Sequence, residues 1–150
     1  MAKFEVGVHA LVFDNQERIL LAHRRDMDLW DLPGGGLDAG ELPTEGVIRE
    51  TKEETGLDVE VERLGFVGVT QDSLLGFVFY CRVVGGELTL SDETNAVSFF
   101  ARTELPAMIS PRKLGIIEAA YKHPTEVWFN HVTQSPGRQW LAEQLEKKVK

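Results

Sequence analysis

Apolar and polar residues along this chain follow two different periods, and the changes of period separate its predicted elements. Residues 4–13 (FEVGVHALVF) are rich in β-branched and aromatic side chains, and residues 18–22 (RILLA) form a second apolar run after an Asp-Asn-Gln turn. Both runs are typical of β-strands. Residues 30–32 predict a short third strand, which leads into a glycine-rich loop at residues 33–36.

A helix is predicted over about residues 43 to 55. Leu42-Pro43 suits a helix start, because proline fits the first helical position and disfavours helical conformation in the residue before it. Leu42 is a poor N-cap, which costs some helix stability. Thr55-Gly56 suits a helix end, because glycine readily adopts the left-handed conformation of a C-terminal cap.

The faces of this helix differ in chemistry. At about 100° per residue, Glu50, Glu53 and Glu54 lie within about a third of the circumference. An adjoining, mostly apolar stripe comprises Val47, Ile48, Thr51 and Thr55. The residues that point away from both are Glu45, Arg49 and Lys52. The helix therefore buries one stripe and presents three carboxylates side by side.

The middle of the chain predicts further strands. Residues 58–71 alternate between charged and apolar and then become apolar, and residues 74–84 form a matching apolar run. The glycine pair at 85–86 predicts a tight hairpin, with residues 87–90 continuing the sheet. Residues 96–101 predict another strand.

The last third predicts helices. Residues 103–106 favour a turn or short helix, and Ser110-Pro111 suits an N-cap followed by proline at the start of a helix that ends near residue 122. The apolar spacing of this helix predicts packing on the sheet opposite the acidic helix. Residues 139–148 predict a final charged helix, whereas residues 128–131 have no clear assignment.

Composition bounds the class of protein. The chain has 150 residues, 43% of them hydrophobic and 27% charged, which is ordinary for one soluble domain. We expect a single domain over 1–150, with a C-terminal extension of unassigned role from about residue 124. The net charge of −8 argues against binding to long nucleic acid. No apolar run predicts a signal peptide or a membrane span, so we expect a cytoplasmic protein, and the single Cys81 predicts a buried structural thiol.

Three carboxylates on one helix face repel one another unless water or a cation screens them. A solvated acidic face is the simpler interpretation. The glycine-rich loop just before the helix favours a site, because its carbonyls can complete a metal shell and its N–H groups can meet a phosphate. Hard divalent cations such as Mg²⁺ or Mn²⁺ prefer such oxygen ligands.

The spacing of these residues resembles the Nudix box, glycine-x5-Glu-x7-Arg-Glu-apolar-x-Glu-Glu-x-Gly-apolar. The matching positions are Gly35, Glu41, Arg49, Glu50, Glu53, Glu54, Gly56 and Leu57. Seven of these positions require one particular residue, and Leu57 fills a position that requires an apolar one. Seven fixed residues at fixed spacing are a specific signal. The one departure is Thr51, which stands where the family usually has an aliphatic residue, and its methyl group can still pack.

The resemblance covers about residues 7–106. It implies an α/β fold, a three-layer α/β/α sandwich around a central mixed sheet. It also implies hydrolysis of a diphosphate linked to another moiety, often a nucleoside, with Mg²⁺ as cofactor and Mn²⁺ as a possible replacement. Carried over by position, the metal ligands are Glu50, Glu53, Glu54 and the Gly35 carbonyl. Glu50 is either a ligand or the general base, and Arg49 orients a glutamate by a salt bridge.

Further candidate site residues are an acid near residue 93 and possible phosphate contacts at Arg24 and the glycine-rich loop. An acid on the loop before the 96–101 strand often binds metal or acts as a base in this family, and Glu93 is the candidate, with Asp92 second. A plain solvated loop acid is the alternative. Arg24, at the end of the second strand, and the Gly34 and Gly35 backbone are candidate phosphate contacts, because guanidinium groups bind phosphate in a forked geometry. A solvated strand end is the equally weighted alternative for Arg24.

Several functions stay open at this point. The first is an enzyme that cleaves a small nucleoside diphosphate derivative such as ADP-ribose or another nucleotide sugar, giving a nucleoside monophosphate and a second phosphate product. The second is a (d)NTP pyrophosphohydrolase. Dinucleoside polyphosphates and mRNA caps are weaker candidates. A non-catalytic nucleotide-binding regulator is disfavoured, because such proteins typically lose box carboxylates. The sequence leaves open whether the chain is a monomer or a homodimer.

Overall fold

Eight strands and three α-helices form the fold of residues 1–149, the part of the chain that the computed structural model describes. In chain order the elements are β1 (Glu5–Val12), β2 (Ile19–Arg24), β3 (Trp30–Asp31), β4 (Gly34–Gly36), α1 (Pro43–Thr55), β5 (Leu57–Thr70), β6 (Leu74–Gly86), β7 (Thr94–Phe100), α2 (Pro111–Lys122), β8 (Trp128–Val132) and α3 (Gly137–Val149). A short 3₁₀ turn, Arg102–Glu104, follows β7.

The strands form two sheets. The larger sheet has the order β4-β1-β6-β5-β8, and it is mixed, because β1 is parallel to β6 and β8 is parallel to β5 while the other pairs are antiparallel. The smaller sheet has the order β3-β2-β7 and is antiparallel throughout.

Helices cover the large sheet on both faces. Side chains alternate along β1, so that Val8 and Val12 pack in one cluster with Val47 of α1, whereas Leu11 packs in a second cluster with Ile117 of α2. The predicted three-layer α/β/α arrangement around a mixed sheet is therefore confirmed. So is the prediction that α2 lies opposite the acidic helix.

Helix α1 has the predicted bounds, and its buried stripe is partly polar. Val47, Thr51 and Thr55 are fully buried, whereas Ile48, predicted on the same stripe, is 38% exposed. The Thr51 hydroxyl donates to the Val47 carbonyl at 2.7 Å, and the Thr55 hydroxyl donates to the Thr51 carbonyl at 2.6 Å. Because each hydroxyl is satisfied within the helix, threonine replaces an aliphatic residue here without leaving a buried unpaired group.

The ends of α1 follow the predicted chemistry. Leu42 is the N-cap and has no side-chain capping bond, but its N–H donates to Glu45 Oε1 at 3.2 Å. Gly56 ends the helix with φ of 79°. A Cβ atom at Gly56 would also collide with the backbone oxygen of Glu87. Glycine is therefore required there both for its conformation and for space.

The hairpin predicted at Gly85-Gly86 is wrong. Both glycines remain in β6 and pair with the start of β5, and residues 87–90 do not form a strand. A Cβ atom at Gly86 would collide with the carbonyl oxygen of Gly56. Gly86 has a φ of 77° and lets β6 pass close to the end of α1, so glycine at this position marks a close approach of two backbones.

The segment that the sequence left unassigned supplies the eighth strand. Trp128–Val132 joins the edge of the large sheet beside β5, and Gly137–Val149 forms the last helix. Cys81 is buried and free, as predicted. Within residues 1–149 none of the helices is both long and apolar enough to cross a membrane.

Candidate active site

Three carboxylates meet at one end of α1. Glu50 and Glu54 come from the helix, and Glu93 comes from the loop before β7; each offers an oxygen within 4.8 Å of the others. Glu53, on the same helix face, has a side chain that is 58% exposed and lies beside Arg49 instead. Asp92, the residue before Glu93, lines a cleft beside these carboxylates that is described below. The structure thus brings together three of the acids that the sequence singled out.

Hydrogen bonds to backbone carbonyls hold the Glu93 loop next to β2 and α1. The Arg25 N–H donates to the Glu93 carbonyl at 3.0 Å. Arg25 Nε donates to the carbonyls of Ser91 and Thr94 at 2.9 and 3.0 Å. The Thr94 hydroxyl in turn donates to the Glu54 carbonyl at 2.9 Å. Arg25 therefore holds the loop to which Glu93 belongs.

Arg49 is the centre of an ion-pair network that includes the cluster. Its guanidinium binds the Glu41 carboxylate in a bidentate manner, with Nε–Oε2 at 2.8 Å and Nη2–Oε1 at 2.9 Å. Nη1 donates to Glu50 Oε1 at 2.9 Å and lies 3.3 Å from Glu53 Oε2. Nη2 also donates to the Gly36 carbonyl at 3.2 Å. Although helix geometry places Arg49 off the acidic face, its long side chain reaches back and holds Glu50 in one orientation.

Burial and the crowding of negative charge raise the pKa values of two of these acids. The pKa of Glu54 is raised to about 8, first by burial and then by the charges of Glu50, Asp31 and Glu93, against the opposing Gly34 N–H bond. Burial also raises the pKa of Glu50. Without a cation, the cluster therefore holds a proton at neutral pH.

The glycine-rich segment forms strand β4 against β1 and does not remain a loop. The Gly34 N–H donates to Glu54 Oε2 at 3.1 Å. A Cβ atom at Gly34 would collide with the Val8 carbonyl, and one at Gly35 would lie 2.7 Å from the Glu50 carboxylate carbon. These glycines let the two cluster acids pack directly against backbone.

Replacing Gly35 with alanine is therefore expected to push the Glu50 carboxylate away and lower metal-dependent turnover at least tenfold. Gly36 is a matched control on the same strand, because a Cβ atom there meets no atom within 4 Å. Initial rates of phosphate release for the two alanine variants test this, alongside thermal unfolding to check that both fold. Equal activity of the two variants would contradict it.

A cleft of about 440 Å³ opens next to the carboxylates. Its walls include the predicted phosphate contacts Arg24, Gly34 and Gly35, together with Glu54 and Glu93. Arg24 points into this region but is held by Asp26, with Nε–Oδ1 at 2.9 Å and Nη2–Oδ2 at 2.7 Å.

Three residues in or next to the cleft were missed by sequence reasoning: His9 and Asp31 line it, and Lys113 contacts both of them. Lys113 Nζ, from α2, lies 2.9 Å from Asp31 Oδ1 and 3.1 Å from His9 Nε2. Burial, with the Lys113 charge, lowers the pKa of His9 to about 3, so its imidazole is neutral. A histidine on the α2-facing side of an apolar strand was the one available signal, whereas Lys113 had none.

The sequence of this chain is similar to those of known proteins. A family model described as NUDIX domain matches residues 3–120. A MutT-like protein of Streptomyces ambofaciens is 40% identical over 101 residues, covering 67% of this chain and 66% of that protein. A putative 8-oxo-dGTP diphosphatase of Bacillus subtilis is 32% identical, covering 71% of this chain and 73% of that protein. An ADP-ribose pyrophosphatase of Methanocaldococcus jannaschii is 34% identical, covering 72% of each.

Solved structures share the fold. The crystal structure of an ADP-ribose pyrophosphatase from Streptococcus suis superposes with a TM-score of 0.69 at 30% identity, covering 85% of this chain and all of that one. A UDP-X diphosphatase superposes with a TM-score of 0.74 at 27% identity, covering 87% of this chain and 68% of that one.

Proposed function

This chain belongs to the Nudix hydrolase family, and from that premise we propose that it is a metal-dependent pyrophosphohydrolase that cleaves the diphosphate linkage of a small nucleoside diphosphate derivative. The observation that carries the proposal is the convergence of Glu50, Glu54 and Glu93 beside a cleft, of which Glu54 and Glu93 form part of the wall. That cleft is large enough for a diphosphate and is lined by glycine backbone and by Arg24.

The donor set fits a hard divalent cation, because it consists of carboxylate oxygens. The pKa of Glu54 is raised first by burial and then by the neighbouring acids, and a cation beside the carboxylate would offset both effects. We therefore assign Glu50, Glu54 and Glu93 as the residues that would hold Mg²⁺ or Mn²⁺. Glu53 and the Gly35 carbonyl remain predicted ligands. When bound, the cation supplies positive charge that offsets the charge of the phosphates and polarises the scissile linkage.

The remaining work belongs to the chain's own groups. Arg49 Nη1 donates to Glu50 Oε1 at 2.9 Å. This contact fixes the orientation of the whole carboxylate, including its other oxygen. A carboxylate of the cluster accepts the proton of the attacking water, and the glycine strand and Arg24 hold the phosphate oxygens. Phosphoanhydride hydrolysis depends mainly on positioning of the water and the phosphates and on neutralisation of the phosphate charge.

Metal affinity is expected to rise with pH, because a cation must displace the proton from Glu54, whose pKa is about 8 in the metal-free protein. One displaced proton predicts about a tenfold gain in Mn²⁺ affinity per pH unit below that pKa, with a plateau above it. Mn²⁺ titrations followed by electron paramagnetic resonance at pH 6, 7, 8 and 8.5 measure this slope. A flat profile would show that no such proton is displaced.

Two substrate classes are supported by the relatives. ADP-ribose or another nucleotide sugar is favoured by the Methanocaldococcus relative and by the Streptococcus structure, each described as an ADP-ribose pyrophosphatase. A (d)NTP is the second candidate, favoured by the Bacillus relative described as an 8-oxo-dGTP diphosphatase. A non-catalytic regulator is disfavoured, because the box carboxylates are all present.

A substrate panel tests the proposal. Phosphate release would be followed for ADP-ribose, other nucleotide sugars, dinucleoside polyphosphates and the eight NTPs and dNTPs, with Mg²⁺ or Mn²⁺ and a coupling phosphatase. We expect the rate of phosphate release from one diphosphate derivative to exceed the rates from the others at least tenfold. We also expect EDTA to abolish this activity. Nucleotide binding without any metal-dependent turnover would overturn the proposal in favour of a regulator.

A further inference from the structure

We propose that a second cleft, remote from the carboxylates, binds a small organic anion through the Arg63 guanidinium. The cleft has a volume of about 580 Å³. We call it the arginine cleft and define it by Phe13, Arg63, Tyr80, Arg102 and Tyr121, which line it. Within residues 1–149 it shares no lining residue with the carboxylate cleft. The inference is therefore independent of the proposed hydrolase activity.

A β-bulge in β5 turns Arg63 towards this cleft. Val61 is opposite Cys81 and Arg63 is opposite Tyr80, so the register of β5 shifts by one residue at Glu62. Val61 packs with the cluster on the α1 side of the sheet, whereas Tyr80 packs with the cluster on the α2 side. Strict alternation would place Arg63 on the same face as Val61. The bulge instead places it on the α2 side, beside Tyr80.

The ring of Tyr80 supports the Arg63 guanidinium. A Cβ atom at Gly65 would lie 2.6 Å from Tyr80 Cε2, so glycine at this position lets the ring lie close against β5. Arg63 Cζ lies 3.8 Å from the centroid of the same ring. The ring attracts one face of the guanidinium, whereas the N–H groups, which lie in the guanidinium plane, need acceptors elsewhere.

Arg63 has neither an acceptor for Nη1 nor a countercharge in the chain. Nη1 is buried and has no hydrogen-bond partner within residues 1–149. In that part of the chain the arginines that form ion pairs with carboxylates are Arg18, Arg24, Arg49, Arg82 and Arg138. A partly buried arginine is usually paired, and a buried N–H without an acceptor destabilises the fold. Because Arg63 lines the cleft, a bound oxyanion can supply the countercharge and charge-assisted hydrogen bonds.

A row of aromatic rings extends the cleft from Arg63 towards Arg102. The Phe13 centroid lies 6.3 Å from that of Tyr80 and 5.2 Å from that of Tyr121. Arg102 Cζ lies 5.2 Å from the Tyr121 centroid. The Tyr121 hydroxyl donates to a backbone carbonyl, that of Glu17, at 2.7 Å, which holds the ring in place. The row offers apolar surface to the body of an organic anion, which a bare inorganic ion would not use.

Two acids limit the charge that the cleft accepts. The exposed Glu17 and Glu62 also line it, so the formal charges of Arg63 and Arg102 are balanced within the lining. A polyphosphate would extend from the arginines towards these acids and be repelled. A single compact oxyanion on Arg63 avoids them. We therefore expect one phosphate or carboxylate group, attached to an apolar or aromatic body.

Isothermal titration in EDTA with phenyl phosphate and with benzoate tests the site and identifies the oxyanion. At least one probe is expected to bind the wild type, and to bind Arg63→Met about tenfold to 100-fold more weakly, because its charge-assisted hydrogen bonds are lost. Arg82→Met is the matched control, since Arg82 lies on the neighbouring strand β6 with its side chain 63% exposed. Arg24→Gln reports on the carboxylate cleft. No binding to the wild type, or binding that depends on Arg24 and not on Arg63, would overturn the site.

Thermal unfolding separates a binding role of Arg63 from a structural one. Methionine can still pack on the Tyr80 ring, and it removes the unpartnered N–H groups. The melting temperature of ligand-free Arg63→Met is therefore expected to equal or exceed that of the wild type, and the probe to raise only the wild-type value. Arg63→Gln, which is uncharged, is expected to lose at least tenfold in probe affinity and provides a second variant. Destabilisation of both ligand-free variants would show that the guanidinium is structural and would overturn the site.

Discussion

Replacing Glu54 with glutamine is expected to lower Mg²⁺-dependent turnover by about 10²- to 10⁴-fold, the range for loss of a group that acts on the reacting phosphate or its proton. The same change is expected to stabilise the metal-free protein at alkaline pH. Burial and neighbouring acids raise the pKa of Glu54 from 4.5 to about 8. The stability that the protonated carboxyl contributes is therefore full below about pH 4.5 and is lost as the pH rises through 8.

Turnover rates and thermal unfolding together measure these two effects of Glu54→Gln. In EDTA the wild type is expected to lose melting temperature between pH 5 and 8.5, and Glu54→Gln to lose less over the same interval. Glu45→Gln is a suitable control, because Glu45 lies on the same helix, is exposed, and bonds the Leu42 N–H through an oxygen that glutamine retains. Near-normal turnover in Glu54→Gln would rule out its assigned role.

Replacing Arg49 is expected to have the second largest effect. Its guanidinium holds Glu41 and Glu50 at 2.8 to 2.9 Å and also contacts Glu53, so an alanine leaves three carboxylates facing one another. We expect a loss of about 2–3 kcal/mol in the free energy of unfolding, since Arg49 is only partly buried. We also expect tenfold to 100-fold slower turnover, because Glu50 loses its orientation.

Lysine at position 49 is expected to restore little of the lost stability or turnover, because a single ammonium group cannot make the several contacts that the guanidinium group makes with the carboxylates. Arg82→Ala is the matched control, since Arg82 pairs with Glu60 where both side chains are about 60% exposed, at 63% and 59%. A surface pair of that kind contributes about 1 kcal/mol or less. Denaturant unfolding and kcat for the three variants test the difference, and equal losses for Arg49→Ala and Arg82→Ala would contradict the network.

Local periodicity accounts for what could be predicted. The bounds of α1 follow from Pro43 and Gly56, and the common face of Glu50 and Glu54 follows from helix geometry. Spacing could not predict which acid outside the helix joins them. Glu93 reaches the cluster only through tertiary hydrogen bonds, those of Arg25 and of Thr94.

Contacts between distant elements account for what was missed. The Lys113–His9 contact joins residues 104 positions apart, so no window along the chain contains it. Likewise, glycine at 86 looks like a turn signal in sequence, but in the fold it lies within β6, with a φ of 77° and against the carbonyl of Gly56, which only the folded chain brings near.

The most direct test of the central claim, that Glu50, Glu54 and Glu93 hold the catalytic cation, is anomalous diffraction from crystals grown with Mn²⁺. We predict a peak among these three carboxylates, at coordination distances from oxygens of all three. The peak should be absent or weakened in Glu54→Gln. A peak on Glu53 without the other acids, or no peak in the cleft at saturating Mn²⁺, would contradict it.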